Sequence, residues 1–231
     1  MLTEVQRELW DVYQRAEALG VRADKLRALA ALLDCLSGSP DHEWFPWARS
    51  LAEAVVDKGE SLMIRRPLFE RAVFPALLAG HRTGLPGCAR WLAGLFDLLC
   101  RSKACQEGLP EAERSEVGLL RAALRHDPAD QRSRRQLLEK LAARLRYSLH
   151  ELPAGVLYGI DGASSEQCLE LEQELDEFCM LAKEDGKAQL HGKLIEQGRF
   201  HFRTYRDYLE SPGDCRSYAQ YLVQLGRQGP A

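Results

Sequence analysis

Apolar residues along this 231-residue chain recur mostly at steps of three and four, the period of a helix buried along one face. Val5, Leu9, Val12, Ala16 and Leu19 make one such stripe. It follows Thr3-Glu4-Val5-Gln6, in which Thr3 can cap a helix while Gln6 reaches back to it. Gly20 supplies the stop. Leu26, Leu29, Leu33 and Leu36 repeat the pattern until Ser37-Gly38-Ser39-Pro40 breaks it. A third helix is expected from about Trp44 to Lys58, with Leu51 and Val55 inward and Gly59 behind it. Connections this short make consecutive helices antiparallel.

The pattern continues to the C-terminus. Pro67 fits a first helical turn, and Pro75 must start, end or kink the apolar stretch that runs to Ala79. "CARWLAGLFDLLCRS" reads as one apolar helix, Pro110–Arg125 as another, and a third spans about Ala129–Ser148. After residues 147–162, Ser164 or Ser165 caps a helix reaching Glu184. The last two helices are expected over Lys187–Leu209 and Asp214–Leu225, the former weakened by Gly192 and Gly198. "GVLYGI" is the one strand-like stretch, too short and isolated for a sheet. The expected fold is therefore all-α: about eight to ten antiparallel helices, as hairpins stacked in a short solenoid or an irregular bundle. A single domain over 1–231 is expected, with a subdivision near 150–164 as the alternative.

Self-similarity bears on the solenoid. "ARSLAEAVVD" at Ala48–Asp57 aligns with "ARWLAGLFDL" at Ala89–Leu98, 41 residues on, a spacing typical of two-helix repeats. The stretch "GLLRAALRHDPAD" resembles the second helix and closing turn of a tetratricopeptide repeat, through Ala123-Leu124 and Asp127-Pro128. The first-helix signature of that family is missing on both sides of it. The resemblance implies a stacked αα architecture and a protein- or peptide-binding role. Read physically, Asp127 caps and Pro128 begins the next helix.

Composition narrows the classes. With 45% hydrophobic and 28% charged residues the chain can bury a sizeable core, and disorder is not expected. A formal net charge of −3 supplies no overall field toward nucleic acid or anionic lipid. No signal peptide is read in MLTEVQRELW, and "WLAGLFDLLC" is far short of a membrane span. The seven scattered cysteines suit small buried hydrophobes in a reducing compartment, so a cytoplasmic protein is expected.

Catalytic patterns fail on inspection. "HEWFP" and "HELPA" put Pro46 and Ala154 where a zinc protease needs its second His. "GKAQLHGKL" is one residue too long for a phosphate loop and no strand precedes it. Cys100 and Cys105 lack zinc-finger spacing. No catalytic, cofactor or metal site is therefore assigned. Glu166, Glu170, Glu174 and Glu177 share a helical face, but no partner helix offers the Glu-x-x-His of a di-metal bundle.

What remains is charge and aromatic placement. Arg114, Arg121, Arg125, Arg132, Arg134, Arg135, Lys140, Arg144 and Arg146 form a basic block. From Glu151 to Asp185 ten acids meet only Lys183. Either the two helices pair their charges, or they form a bipolar surface for a partner protein, or Arg132, Arg134 and Arg135 touch nucleic acid. Trp44 and Trp47, a turn apart, are either core or a binding hot spot. Phe200, Phe202, Tyr205, Tyr208, Tyr218 and Tyr221 form an aromatic cluster, with Phe202-Tyr205-Leu209 as its core stripe. Tyr208, His201 and Arg206 are the residues there that could line a groove. "YSLHELPAGVLYGIDGASSEQ" reads as a packed connector at the charge reversal, with His150 and Glu151 at a helix end. The expectation is a non-catalytic protein-interaction module: an adaptor, inhibitor or immunity-like protein binding another protein or peptide. A small-molecule binder or enzyme with a pocket at Tyr147, His150, Glu151 and Tyr158 is the alternative. A nucleic-acid-linked regulator is the third reading.

Overall fold

The computed structural model describes residues 2–152 and 164–226, and these are helical without a strand. The helices are α1 (Glu4–Leu19), α2 (Arg22–Ser37), α3 (Asp41–Asp57), α4 (Arg66–Leu68), α5 (Phe74–Arg82), α6 (Cys88–Gly94) and α7 (Phe96–Leu99). They continue as α8 (Lys103–Glu107), α9 (Glu116–His126), α10 (Gln131–Glu151), α11 (Ser165–Glu184), α12 (Gly192–Glu210) and α13 (Tyr218–Gln224). Eight of these described helices run nine residues or longer, so the all-α expectation holds. "GVLYGI" lies outside the described residues. The chain divides into two compact units, residues 1–133 and 134–231, and the division falls inside α10.

In the first unit α1 packs on α2, and α3 on α5 and α6. The capping box at the start of α1 is present, with Thr3 Oγ1 accepting from Gln6 N and Gln6 Oε1 accepting from Thr3 N. Gly20 stops α1 at φ 84°, a left-handed value that a side chain would disfavour. The inner face of α1 differs from the expected stripe. Val5, Val12 and Leu19 are 59%, 43% and 78% exposed, while Gln6, Tyr13 and Ala16 are buried. Gln6 can be inside because its amide Nε2 donates to Ser39 Oγ at 2.9 Å. Tyr13 is fully buried and donates to Met63 O. A face selected by one aromatic and one satisfied amide shares only Ala16 with the apolar stripe, so the periodicity points to the wrong side of the helix.

The helix from Arg66 to Arg82 is interrupted by a π turn at Phe69–Val73. Pro75 explains its position: without an N–H it cannot bond back into an α ladder, and the register loosens just before it. The single helix expected over "CARWLAGLFDLLCRS" is broken at Leu95 into α6 and α7. Gly94 sits at the break, where a Cβ would come within 2.5 Å of Val56 Cγ1 on α3. The aligned stretches of α3 and α6 bury equivalent positions, Ala48, Leu51 and Ala52 against Ala89, Leu92 and Ala93. Small residues Ala89, Ala122 and Ala123 form the contact between α6 and α9. Before α9 the chain makes a short 3-10 turn at Glu111–Glu113.

The expected cap at Asp127 is displaced. Asp130 accepts from the backbone of Arg132 and Ser133 and so caps α10, while Asp127 accepts from Ala129 N in the turn before it. Pro128 therefore lies in the turn and not in the helix.

In the second unit α11 packs on α12, and α12 on α13. Ser164 and Gln167 form a full capping box at the start of α11. Leu171, Leu175, Phe178 and Ala182 make its buried stripe. α12 begins at Gly192, later than expected. Gly198 is buried against Leu175, and its missing Cβ lets α12 approach α11. The last helix starts at Tyr218, capped by Ser217.

Candidate functional site

Two arrangements in the described residues go beyond core packing. The first is a cleft of about 590 Å³ in the first unit, lined by α5, α9 and the turns between α8 and α9. His81, 6% exposed, presents Nε2 to Glu113 Oε2 at 2.6 Å. A carboxylate only accepts, so the imidazole donates from Nε2. Glu113 Oε1 accepts from Arg125 Nη2 at 2.5 Å. The His126 ring meets His81 edge-on at 5.2 Å. His81 Nδ1 is buried and has no hydrogen-bond partner. The sequence reading missed this group, because His81 and Glu113 stand 32 residues apart and belong to no local motif. The apolar run "FPALLAG" leading into His81 was the one available signal, and it points equally to a core histidine.

A second buried ionic group shares this unit. Arg90 forks onto Asp57, with Nε and Nη2 at 3.1 and 2.6 Å from its two oxygens, and its Nη1 donates to Asp130. Trp91 Nε1 donates to Asp57 at 2.8 Å, and Arg132 Nη1 donates to Asp57 O at 3.2 Å. Burial alone would raise the Asp57 carboxyl, but the hydrogen bonds from Arg90 and Trp91 outweigh it and hold the pKa below the ordinary value. Asp130 is lowered too, its burial outweighed by Ser133 and Arg90. Every polar atom named here is engaged with another, so the group holds α3, α6 and the start of α10 together.

The other arrangement is on α11. Arg134 lies 3.3 Å from Glu184 and Arg144 lies 3.1 Å from Glu174, so the basic and acidic helices pair part of their charge. Arg206 likewise meets Glu172 at 2.9 Å. Glu177 is half-buried and interacts within the chain. Leu169 and Met180 are 45% and 60% exposed, with Glu166, Glu170, Gln173, Asp176 and Lys183 exposed around them and the paired Glu172 and Glu184 within one turn.

The remaining residues singled out from sequence are dispersed. Trp44 is 4% exposed and belongs to the core. Trp47 is half-buried and meets Trp10 edge-on at 5.1 Å. Arg132 is engaged with Asp57, and Arg135 is exposed. Tyr147 and His150 are exposed near the end of α10, and Glu151 is half-buried at its last position. Tyr158 lies outside the described residues. In the aromatic cluster, Tyr218 packs edge-on against Tyr205 at 4.9 Å and its hydroxyl lies 3.0 Å from His201 Nδ1. Arg206 pairs with Glu172, and Tyr208 is half-buried against Tyr205, Tyr218 and Tyr221.

Four of the seven cysteines are buried, and burial pushes the Cys88 and Cys168 thiols up to about 11. Among the described residues no three His, Cys, Asp or Glu side chains gather so as to hold a metal ion, and no helix is long and apolar enough to cross a membrane. Compared with protein-family models, curated proteins and solved structures, the chain matches none.

Proposed function

We propose that the chain is a non-catalytic protein-binding module, adaptor-, inhibitor- or immunity-like in kind, whose docking surface is the outward face of α11. One observation carries this reading. Leu169 and Met180, three helical turns apart, stand exposed among the exposed acids Glu166, Glu170 and Asp176, which outnumber the one exposed cation there, Lys183. Two large apolar groups on one line of an acidic helix face give a docking partner two anchor points. Methionine adapts to the shape of a partner, and the acids select a basic one. The complementary partner is therefore an amphipathic basic segment of another protein. The tetratricopeptide-like half motif at 118–130 supports a binding role of this kind.

Affinity purification from cells that make the protein tests it. Wild-type protein retains one stoichiometric partner, and Glu170→Lys/Asp176→Lys loses it while keeping its helical circular dichroism. Recovery of the same material by both proteins, or of none by either, contradicts the reading.

A second reading has its own observation, the unpaired Nδ1 of His81 in the wall of a cleft lined with charged groups. It moves the small-molecule alternative from residues 147–162 to His81, Glu113 and Arg125. A metabolite that raises the melting temperature of wild type but not of Arg125→Ala favours it.

A further inference from the structure

Val5, Val12 and Leu19 are spaced by seven residues, so they lie almost in line along α1 over about 21 Å. All three are exposed, although each could have been polar at no cost to the core. Glu8 and Arg15 are exposed on the same side of the helix, one between each pair of apolar residues. The stripe therefore reads Val, Glu, Val, Arg, Leu. Turned end for end about Val12, it matches itself. Val5 then falls against Leu19, and Val12 against Val12. Glu8 falls level with Arg15 to within one residue rise, about 1.5 Å. Set side by side in the same direction, it would instead oppose Glu8 to Glu8 and Arg15 to Arg15. Glu4 and Asp11, the other exposed acids of the helix, lie about 100° off this line, slightly more than a quarter-turn.

We propose that α1 pairs antiparallel with α1 of a second copy of this chain, about a two-fold axis at Val12. Self-complementarity under reversal is what a two-fold interface requires, since each residue must accept the partner of its own mate. The charges select the direction, and the three apolar residues supply the contact. One 16-residue helix against another covers less than the roughly 1,200 Å² typical of stable complexes, so the association is concentration-dependent and not obligate. This surface is in a different unit from the α11 face, and the two readings stand or fall separately.

Disulfide trapping of the full chain tests it, with Cys35, Cys100 and Cys215 replaced by Ser to remove the thiols that are not buried. Under mild oxidation, Val12→Cys gives a covalent dimer. Val5→Cys and Leu19→Cys each give little alone, and their equimolar mixture gives the mixed dimer. Glu8→Arg weakens association in sedimentation equilibrium at least fivefold, and Glu8→Arg/Arg15→Glu restores it. Trapping of Val5→Cys and Leu19→Cys each with itself would overturn the antiparallel arrangement. A Val12→Cys yield no greater than that of Gln189→Cys, an exposed control site, would overturn the pairing, whatever else binds that face.

Discussion

Arg144 Nε lies 3.1 Å from Glu174 Oε2, and the matching pair of Arg134 with Glu184 stands ten residues earlier on α10 and ten later on α11. Equal and opposite steps define an antiparallel pair, so these two rungs fix the register of the helices that flank residues 153–163. Arg144→Glu is expected to lower stability by about 1 kcal/mol, because the Arg144 side chain is partly exposed and solvent screens the pair. Arg144→Glu/Glu174→Arg recovers most of that loss in urea unfolding. Absence of recovery would show that the two charges do not set the register.

Arg90 lies between two carboxylates whose side chains are each about nine-tenths buried. Removing its charge leaves Asp57 with only Trp91 and the more distant Arg132, and Asp130 with only Ser133, to offset two neighbouring negative charges. Arg90→Met is expected to destabilise the first unit by about 3 kcal/mol, read as a fall in melting temperature. Arg90→Lys recovers only part of this, because an ammonium cannot fork across both oxygens of Asp57 while reaching Asp130.

Acid sensitivity has a specific source. The Arg65 guanidinium bonded to Glu17, aided by Lys25, holds the Glu17 carboxyl down at about 2, against an ordinary 4.5. A carboxyl lowered by folding contributes stability above its unfolded value and loses it as pH falls through the folded one. The contribution is thus full above pH 4.5 and disappears by about pH 2. Screening at the half-exposed Arg65 limits it to about 1–2 kcal/mol. Wild type should lose that much more stability than Glu17→Gln across this window, measured by urea unfolding at several pH values.

Much of the architecture was legible because caps and stops are local. Thr3 with Gln6, and Gly20, each declare a helix end within four residues and act as read, and of the two serines offered for the start of α11 it is Ser164 that caps. The inner face of α1 was not legible, since Gln6 goes inside on the strength of Ser39, a residue 33 positions away. The need for glycine at position 94 likewise depends on Val56 of another helix. At the candidate sites the same division holds. The acidic face of α11 was visible as a run of glutamates, but Glu174 could be told from Glu170 only once Arg144 was placed beside it. The His81–Glu113 pair is purely tertiary.

Gly118 gives a sharp packing test. A Cβ there would lie 2.0 Å from Ala112 O, a backbone atom of the turn before α9. Gly118→Ala is expected to cost about 2–3 kcal/mol, although alanine favours helices elsewhere. Unchanged or raised stability in thermal unfolding would contradict the close approach of the 3-10 turn to α9.

Photo-cross-linking from the centre of the α11 face tests the central claim most directly. A photoreactive residue at Gln173, introduced in the producing cells, is expected to yield one discrete adduct with a second protein. The adduct should vanish in the Glu170→Lys/Asp176→Lys background and be absent when the probe stands at the exposed Glu139 of α10. No adduct from position 173, or an equal adduct from position 139, would contradict a docking role for this face.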